Sequence, residues 1–250
     1  MEQQIQNAVN WIKGQEIDGC LTGSCLLGYF EGQDIDIFTY NEAAFTKLLY
    51  SMYHNPLFLL IEPIEKWKFK DWTESSYKGS LKKLGLVTIK FKYNMCVDVN
   101  IIYKEKNHSI FDVLSNFDLD IICVGYDLKT KKTLDLSEHL PDKTATWNKW
   151  NRAFYNPNIW NLGRILRQFE RVVKYYKRGY NTDLLALKYK SILTEMLEYE
   201  NIFSSEKMDE KVALVKKNSE ILIKILDKWL ETHILTDTES DLLKQAVRDL

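Results

Sequence analysis

Around residues 34–37 and 97–101 apolar and polar positions alternate, the period of half-buried strands, and from about residue 142 the period is helical. Residues 2–13 read as a helix and 18–23 as a strand. A Gly-Ser turn and a short helix follow, then a strand over 35–39. Residues 41–50 are helical, with Asn41 as N-cap. Leu57 to Ile61 is a short apolar strand bounded by prolines. Leu86 to Lys92, a Tyr93-Asn94 turn and Met95 to Ile102 predict a β-hairpin, and a strand over 119–124 closes the sheet. Amphipathic helices are expected over 159–179, 183–199, 207–231 and 239–249. The pattern therefore predicts an α+β chain: a small mixed sheet flanked by helices in residues 1–140, and a helical domain in 141–250 packed on it. The turn-forming Glu138 to Asp142 marks the change, and no repeat, low-complexity tract or Pro/Gly-rich linker interrupts it.

Composition narrows the class. With 45% hydrophobic and 28% charged residues in 250, the chain can bury a large core and is not broadly disordered. No apolar run approaches the roughly 20 residues that span a bilayer, so no membrane partner is expected. The polar N-terminus has no basic-then-apolar leader, and the reading is a cytoplasmic protein. Cys20, Cys25, Cys96 and Cys123 lack metal-ligand spacing and are expected as free thiols, mostly buried. The four histidines are scattered singly, so neither a zinc site nor a Cys–His pair can be built. The net charge of −1 is unevenly spread: residues 1–60 carry −5 and residues 141–180 carry +7. An acidic end with a concentrated basic segment is what a triphosphate or nucleic-acid cleft needs.

The chemistry concentrates in Leu21-Thr-Gly-Ser-Cys-Leu-Leu-Gly-Tyr-Phe-Glu-Gly-Gln-Asp-Ile-Asp-Ile-Phe38. Gly23 permits a tight turn and close approach that a Cβ would obstruct. Ser24 follows near a helix start, where backbone N–H groups and a hydroxyl can hold a phosphate. Asp34 and Asp36, two apart on a strand, leave one face while Ile35 and Ile37 enter the core. Such paired carboxylates repel unless a cation lies between them, and hard oxygen ligands suit Mg²⁺ or Mn²⁺.

This segment resembles the nucleotidyltransferase superfamily that includes DNA polymerase beta, antibiotic nucleotidyltransferases and the enzymes that make nucleotide second messengers. The shared signature is Gly-Ser, about ten residues, Asp-x-Asp, and a third carboxylate on a later strand. Gly23, Ser24, Asp34 and Asp36 match it, and Asp98 in Cys96-Val-Asp-Val-Asn-Ile-Ile102 is the third candidate. The resemblance covers about residues 15–105. Gln33, where many relatives carry Ser, and Cys25 depart from it and leave the subfamily open. It implies a polymerase beta-like catalytic domain with two Mg²⁺ or Mn²⁺ ions at Asp34, Asp36 and Asp98. The donor would be a nucleoside triphosphate, with ATP the default. The acceptor would be a hydroxyl of a small molecule, RNA, a protein or a second nucleotide, with pyrophosphate released. A second Asp-x-Asp, Asp118-Leu-Asp120, has no Gly-Ser before it and is expected to be structural.

Two basic features accompany the acids. Lys90 and Lys92 alternate on the strand before Asp98 and are candidate phosphate ligands; lysines guarding an edge strand are the alternative. On the 159–179 helix, Leu162, Ile165, Leu166, Phe169, Val172, Val173 and Tyr176 form one face. Arg164, Arg167, Arg171, Lys174 and Arg178 form the opposite one, without an acid. Like charges at these spacings repel. Donor phosphates, nucleic acid, acidic neighbours within the fold or plain solvent could each face the stripe; Arg164, Arg167 and Arg171 are the candidate phosphate contacts. Gly179 reads as the glycine that ends this helix. The rings of Trp67 to Trp72 and Trp147 to Arg152 are expected to anchor loops more than to stack bases. Two other functions stay open: a non-catalytic nucleotide- or RNA-binding relative, and a protein-interaction or oligomer module using the helical half.

Overall fold

The computed structural model describes residues 1–30, 32–61, 86–138, 142–151, 171–172 and 174–185, with single positions 223, 227, 231, 237, 240, 241, 244 and 245 beyond them. The chain divides into two compact units. The first comprises residues 1–117 with 122–137, and the second 118–121 with 138–250.

The first unit is a mixed sheet with helices on both faces. Its elements are α1 (Glu2–Lys13), β1 (Gly19–Thr22), β2 (Asp34–Thr39), α2 (Glu42–Tyr53), β3 (Phe58–Leu60), β4 (Leu86–Tyr93), β5 (Val97–Lys104), α3 (Ile110–Ser115), β6 (Val124–Asp127) and β7 (Thr133–Asp135). The strands lie in the order β3-β4-β5-β2-β1-β6-β7. The β2–β5 pair is parallel and the other pairs are antiparallel. On one face Leu21, Ile35, Ile37, Phe91, Val99 and Ile101 pack in one core with α1 and α2. Helix α1 contributes Ile5, Ala8, Val9 and Ile12, the three-four spacing of one helical face. Helix α2 starts at Asn41, whose side chain accepts the Ala44 N–H at 2.8 Å, the expected N-cap.

The other sheet face changes character along the strands. Around Phe38 it is apolar, and the Phe38 and Phe117 rings meet edge to face at 5.9 Å. Helix α3 covers this side: a Cβ on Gly125 would fall 2.9 Å from Ile110 Cδ1. Towards Asp34 and Asp36 the same face is polar.

Three local expectations are corrected. The segment after Gly23 is a single 3₁₀ turn, Ser24–Leu26, in place of a helix. No strand runs over 119–124. Asp120–Ile122 forms a 3₁₀ turn and β6 begins at Val124. The reason is a competing partner within the second unit: the Asp120 N–H donates to Thr146 O at 3.0 Å and the Asn148 N–H to Asp118 O at 2.8 Å. That strand also does not close the sheet, because β7 lies outside β6.

In the second unit the expected helix end is present. Gly179 has φ 79°, with Tyr180 N–H donating to Tyr175 O at 3.0 Å and Gly179 N–H to Tyr176 O at 2.9 Å, a Schellman cap. Val172 is buried as expected, but Tyr175 takes the buried place expected of Tyr176, which is 45% exposed. Among the described residues no helix is long and apolar enough to cross a membrane.

Candidate functional site

The site is built by strand register. Parallel pairing sets Asp34 beside Asp98 and Asp36 beside Asn100. Antiparallel pairing sets Lys92 beside Asp98 and Lys90 beside Asn100 on one side, and Thr22 beside Asp36 on the other. Paired residues share a face, so two rows form: Lys92, Asp98 and Asp34, then Lys90, Asn100, Asp36 and Thr22. The sequence candidates Asp34, Asp36, Asp98, Lys90 and Lys92 thus meet on one polar patch. Gly125, beside Thr22 in the second row, puts α3 at its margin.

Each carboxylate has its own surroundings. The Asn100 amide donates to Asp36 Oδ1 at 2.8 Å. The other oxygen, Oδ2, faces the Gly-Ser turn, 3.8 Å from where a Gly23 Cβ would stand. Gly23 itself has φ 85° and ψ −162°, a conformation that disfavours any side chain. Ser24, largely buried, opens the 3₁₀ turn, in which Leu26 N–H donates to Gly23 O at 3.1 Å. Asp98 receives the Lys92 ammonium at 2.7 Å, with the side chains 55% and 34% exposed respectively.

Two further residues belong here. Thr22 is 1% exposed and its hydroxyl has no hydrogen-bond partner among the described residues, although it stands in the Asp36 row. The Cys25 thiol donates to Thr22 O at 3.3 Å. Its pKa is pushed up to about 12, first by burial and then by the Asp36 and Asp34 carboxylates. Sequence reasoning assigned a role to neither Asn100 nor Thr22: Asn100 alternates with Asp98 on β5, which marks it as sharing that face but gives no partner. Thr22, one threonine at a strand end, carried no comparable signal.

The donor atoms on this patch are of the type that a hard divalent cation takes. The two β2 carboxylates, a third beside the first, and an unsatisfied hydroxyl in the same row are all oxygen donors. Among the described residues, though, no group of three or more His, Cys, Asp or Glu side chains stands ready to hold a metal ion. Asp98 is instead engaged by Lys92.

Arg164 and Arg167 lie outside the described residues, as do Leu162, Ile165, Leu166, Phe169, Val173 and the Trp67–Trp72 stretch. Arg171 pairs through Nε with Asp118 Oδ2 at 2.6 Å, an acidic neighbour within its own unit. Asp120 accepts the Thr146 N–H at 3.0 Å, so the second Asp-x-Asp is structural, as expected. Trp147 is buried with its indole N–H donating to Leu185 O at 3.3 Å, which makes it a loop anchor. A cleft of about 860 Å³ lies at the opposite end of β1, lined by Glu16, Asp18, Asn41, Lys47 and Lys129 among others; it contains none of the candidate residues.

No protein-family model matches the chain, and no curated protein matches it in sequence. Among solved structures it is similar to the Thermotoga maritima CCA-adding enzyme complexed with tRNA, at 14% identity over 98% of this chain and 48% of that one, with a TM-score of 0.40. It is also similar to a tRNA-processing enzyme in an apo form, at 15% identity over 98% and 67%, TM-score 0.38. A tRNA-processing enzyme with CTP is similar at 14% identity over 99% and 69%, TM-score 0.36. The chain spans about half the length of the first of these, at 48%.

Proposed function

We propose that the chain is a metal-dependent nucleotidyltransferase that moves a nucleoside monophosphate from a nucleoside triphosphate, ATP by default, to a hydroxyl acceptor. The observation that carries this reading is the parallel β2–β5 register, which sets Asp34 beside Asp98 and Asp36 beside Asn100 on the face reached by the Gly23-Ser24 turn. Two Mg²⁺ or Mn²⁺ ions, held by Asp34 and Asp36 with Asp98 completing the acceptor-side one, would neutralise the triphosphate and lower the pKa of the acceptor hydroxyl. Ser24 and the backbone of its turn bind donor phosphate, and Lys90 and Lys92 add positive charge beside it. Asp98 takes the proton of the acceptor hydroxyl. The acceptor oxygen then bonds to the α-phosphorus as the bond to pyrophosphate breaks. Positioning and charge stabilisation are most of what this reaction asks of a protein, so a short residue set suffices. The acceptor, whether small molecule, RNA or protein, is not fixed by these residues, and the protein is placed in the cytoplasm.

The test is transfer of α-labelled nucleotide. Each of the four ribonucleoside triphosphates is offered with Mg²⁺ and either total RNA or a low-mass extract, and label incorporation and pyrophosphate are measured. The expected result is transfer to one acceptor class, lost in Asp34→Asn/Asp36→Asn. A folded protein that binds triphosphate with metal and transfers to nothing would favour the second reading, a non-catalytic nucleotide-binding relative. The engagement of Asp98 by Lys92 is the observation on that side.

A further inference from the structure

We propose that Lys92 is the resident counter-ion of Asp98 and exchanges for a divalent ion when the triphosphate arrives, so that loading of the second ion depends on the donor. This inference rests on the nucleotidyltransferase reading above and concerns how that site is regulated. Lys92, Asp98 and Asp34 form one row across β4, β5 and β2. The ammonium lies 2.7 Å from Asp98 Oδ1, on the face that carries the metal-ligand candidates. Without a cation there, neighbouring carboxylates on adjacent strands would repel, and like charges directly opposite are destabilising. The lysine supplies that cation from within the chain.

The pair is also built to come apart. Asp98 is more than half exposed and Lys92 about one-third, so water competes for both and the ion pair is weak. Lysine presents a point charge on a flexible stem with no fixed fork, and can turn to a phosphate oxygen without moving the strand. Asp36, by contrast, accepts a neutral amide at Oδ1, that of Asn100, which orients the carboxylate. Asp98 therefore starts with a cation already at its Oδ1. A triphosphate draws Lys92 away and uncovers Asp98 in the same event, which keeps the acceptor-side ion from binding before the donor.

Mn²⁺ titration of the full chain, read by calorimetry and by the paramagnetic resonance of free Mn²⁺, tests this with and without a non-hydrolysable ATP analogue. Wild type should take up one Mn²⁺ alone and two with the analogue. Lys92→Met should take up two without the analogue and bind the analogue at least about fivefold more weakly. Lys92→Arg should keep the donor dependence. Lys92→Gln repeats the measurement should the methionine variant not fold, as judged by circular dichroism. Equal stoichiometry and affinity in wild type and Lys92→Met under both conditions would overturn the exchange while leaving the metal site standing. Wild type that binds no Mn²⁺ with or without the analogue would overturn the exchange and the nucleotidyltransferase reading together.

Discussion

Asp36 accepts the Asn100 amide at Oδ1 and turns Oδ2 towards Gly23, so that hydrogen bond orients the carboxylate before any ligand arrives. A hydrogen bond to a charged group contributes about 1.5–3 kcal/mol. Asn100→Ala should therefore weaken Mn²⁺ binding in the presence of nucleotide by about tenfold or more while the sheet stays folded; unchanged affinity in calorimetry would mean that Asp36 is oriented by something else. Cys25 offers a pH test. Its folded pKa of about 12 lies above the ordinary 9.0, so the stabilisation that goes with the protonated thiol is fully present below about 9 and is lost as pH rises through about 12. Cys25 is only partly buried, so iodoacetamide at pH 8 should label it more slowly in the native protein than once unfolded, and equally rapid labelling of the native thiol would contradict the raised pKa. The shared face of Asp34, Asp36 and Asp98 was legible in sequence because alternation along a strand decides which face each side chain takes. Thr22 and the partners of Asp98 and Asp36 were not, because a side chain's neighbour across a sheet depends on register.

Register is the contribution of the elements. The hairpin that delivers Asp98 was predicted with its turn at Tyr93-Asn94, and it folds one residue later. Asn94 and Met95 take φ of 46° and 62°, and Cys96 N–H closes the turn on Tyr93 O at 3.1 Å. Asparagine tolerates this left-handed conformation, whereas methionine does not readily, at a cost of about 1–2 kcal/mol. Met95 is 68% exposed and has little packing to lose. Met95→Gly should thus raise stability by up to about 1 kcal/mol in urea unfolding, after the entropic penalty of glycine; a lower midpoint would show that the side chain contributes packing here. Helices α1 and α2 and strands β2, β4 and β5 followed from periodicity because each is long enough to show it, while β1 and β3 were read from short apolar runs beside turn residues. Helix α3, six residues with a Ser109 cap, and β7, three residues, are too short for a period to emerge. The strand expected over 119–124 failed for another reason. Its apolar run is real, but residues 118–120 give their backbone hydrogen bonds to 146–148, a non-local choice that no local pattern encodes.

At the scale of the whole molecule, the acidic and basic halves of the sequence separate into different accounts. The acids of residues 1–60 include the site, and part of the basic stripe is already answered internally, since Arg171 is neutralised by Asp118. Phosphate contact by the stripe is therefore a proposal for Arg164 and Arg167 first. The central claim stands on Asp34 and Asp36 and is independent of the stripe. It is tested most directly by the thermal unfolding of wild type and Asp34→Ala/Asp36→Ala, each with and without Mn²⁺ and a non-hydrolysable ATP analogue. Removing both acids relieves repulsion, so the variant is expected to fold. Ligand at about 100 times its dissociation constant adds about 2.7 kcal/mol to the native state. At this chain length that corresponds to a rise of about 5–10 °C in Tm. The account predicts such a rise for wild type with metal and nucleotide together, a smaller one with Mn²⁺ alone, and none for the double variant. An equal rise in both proteins, or no rise in wild type, would contradict it.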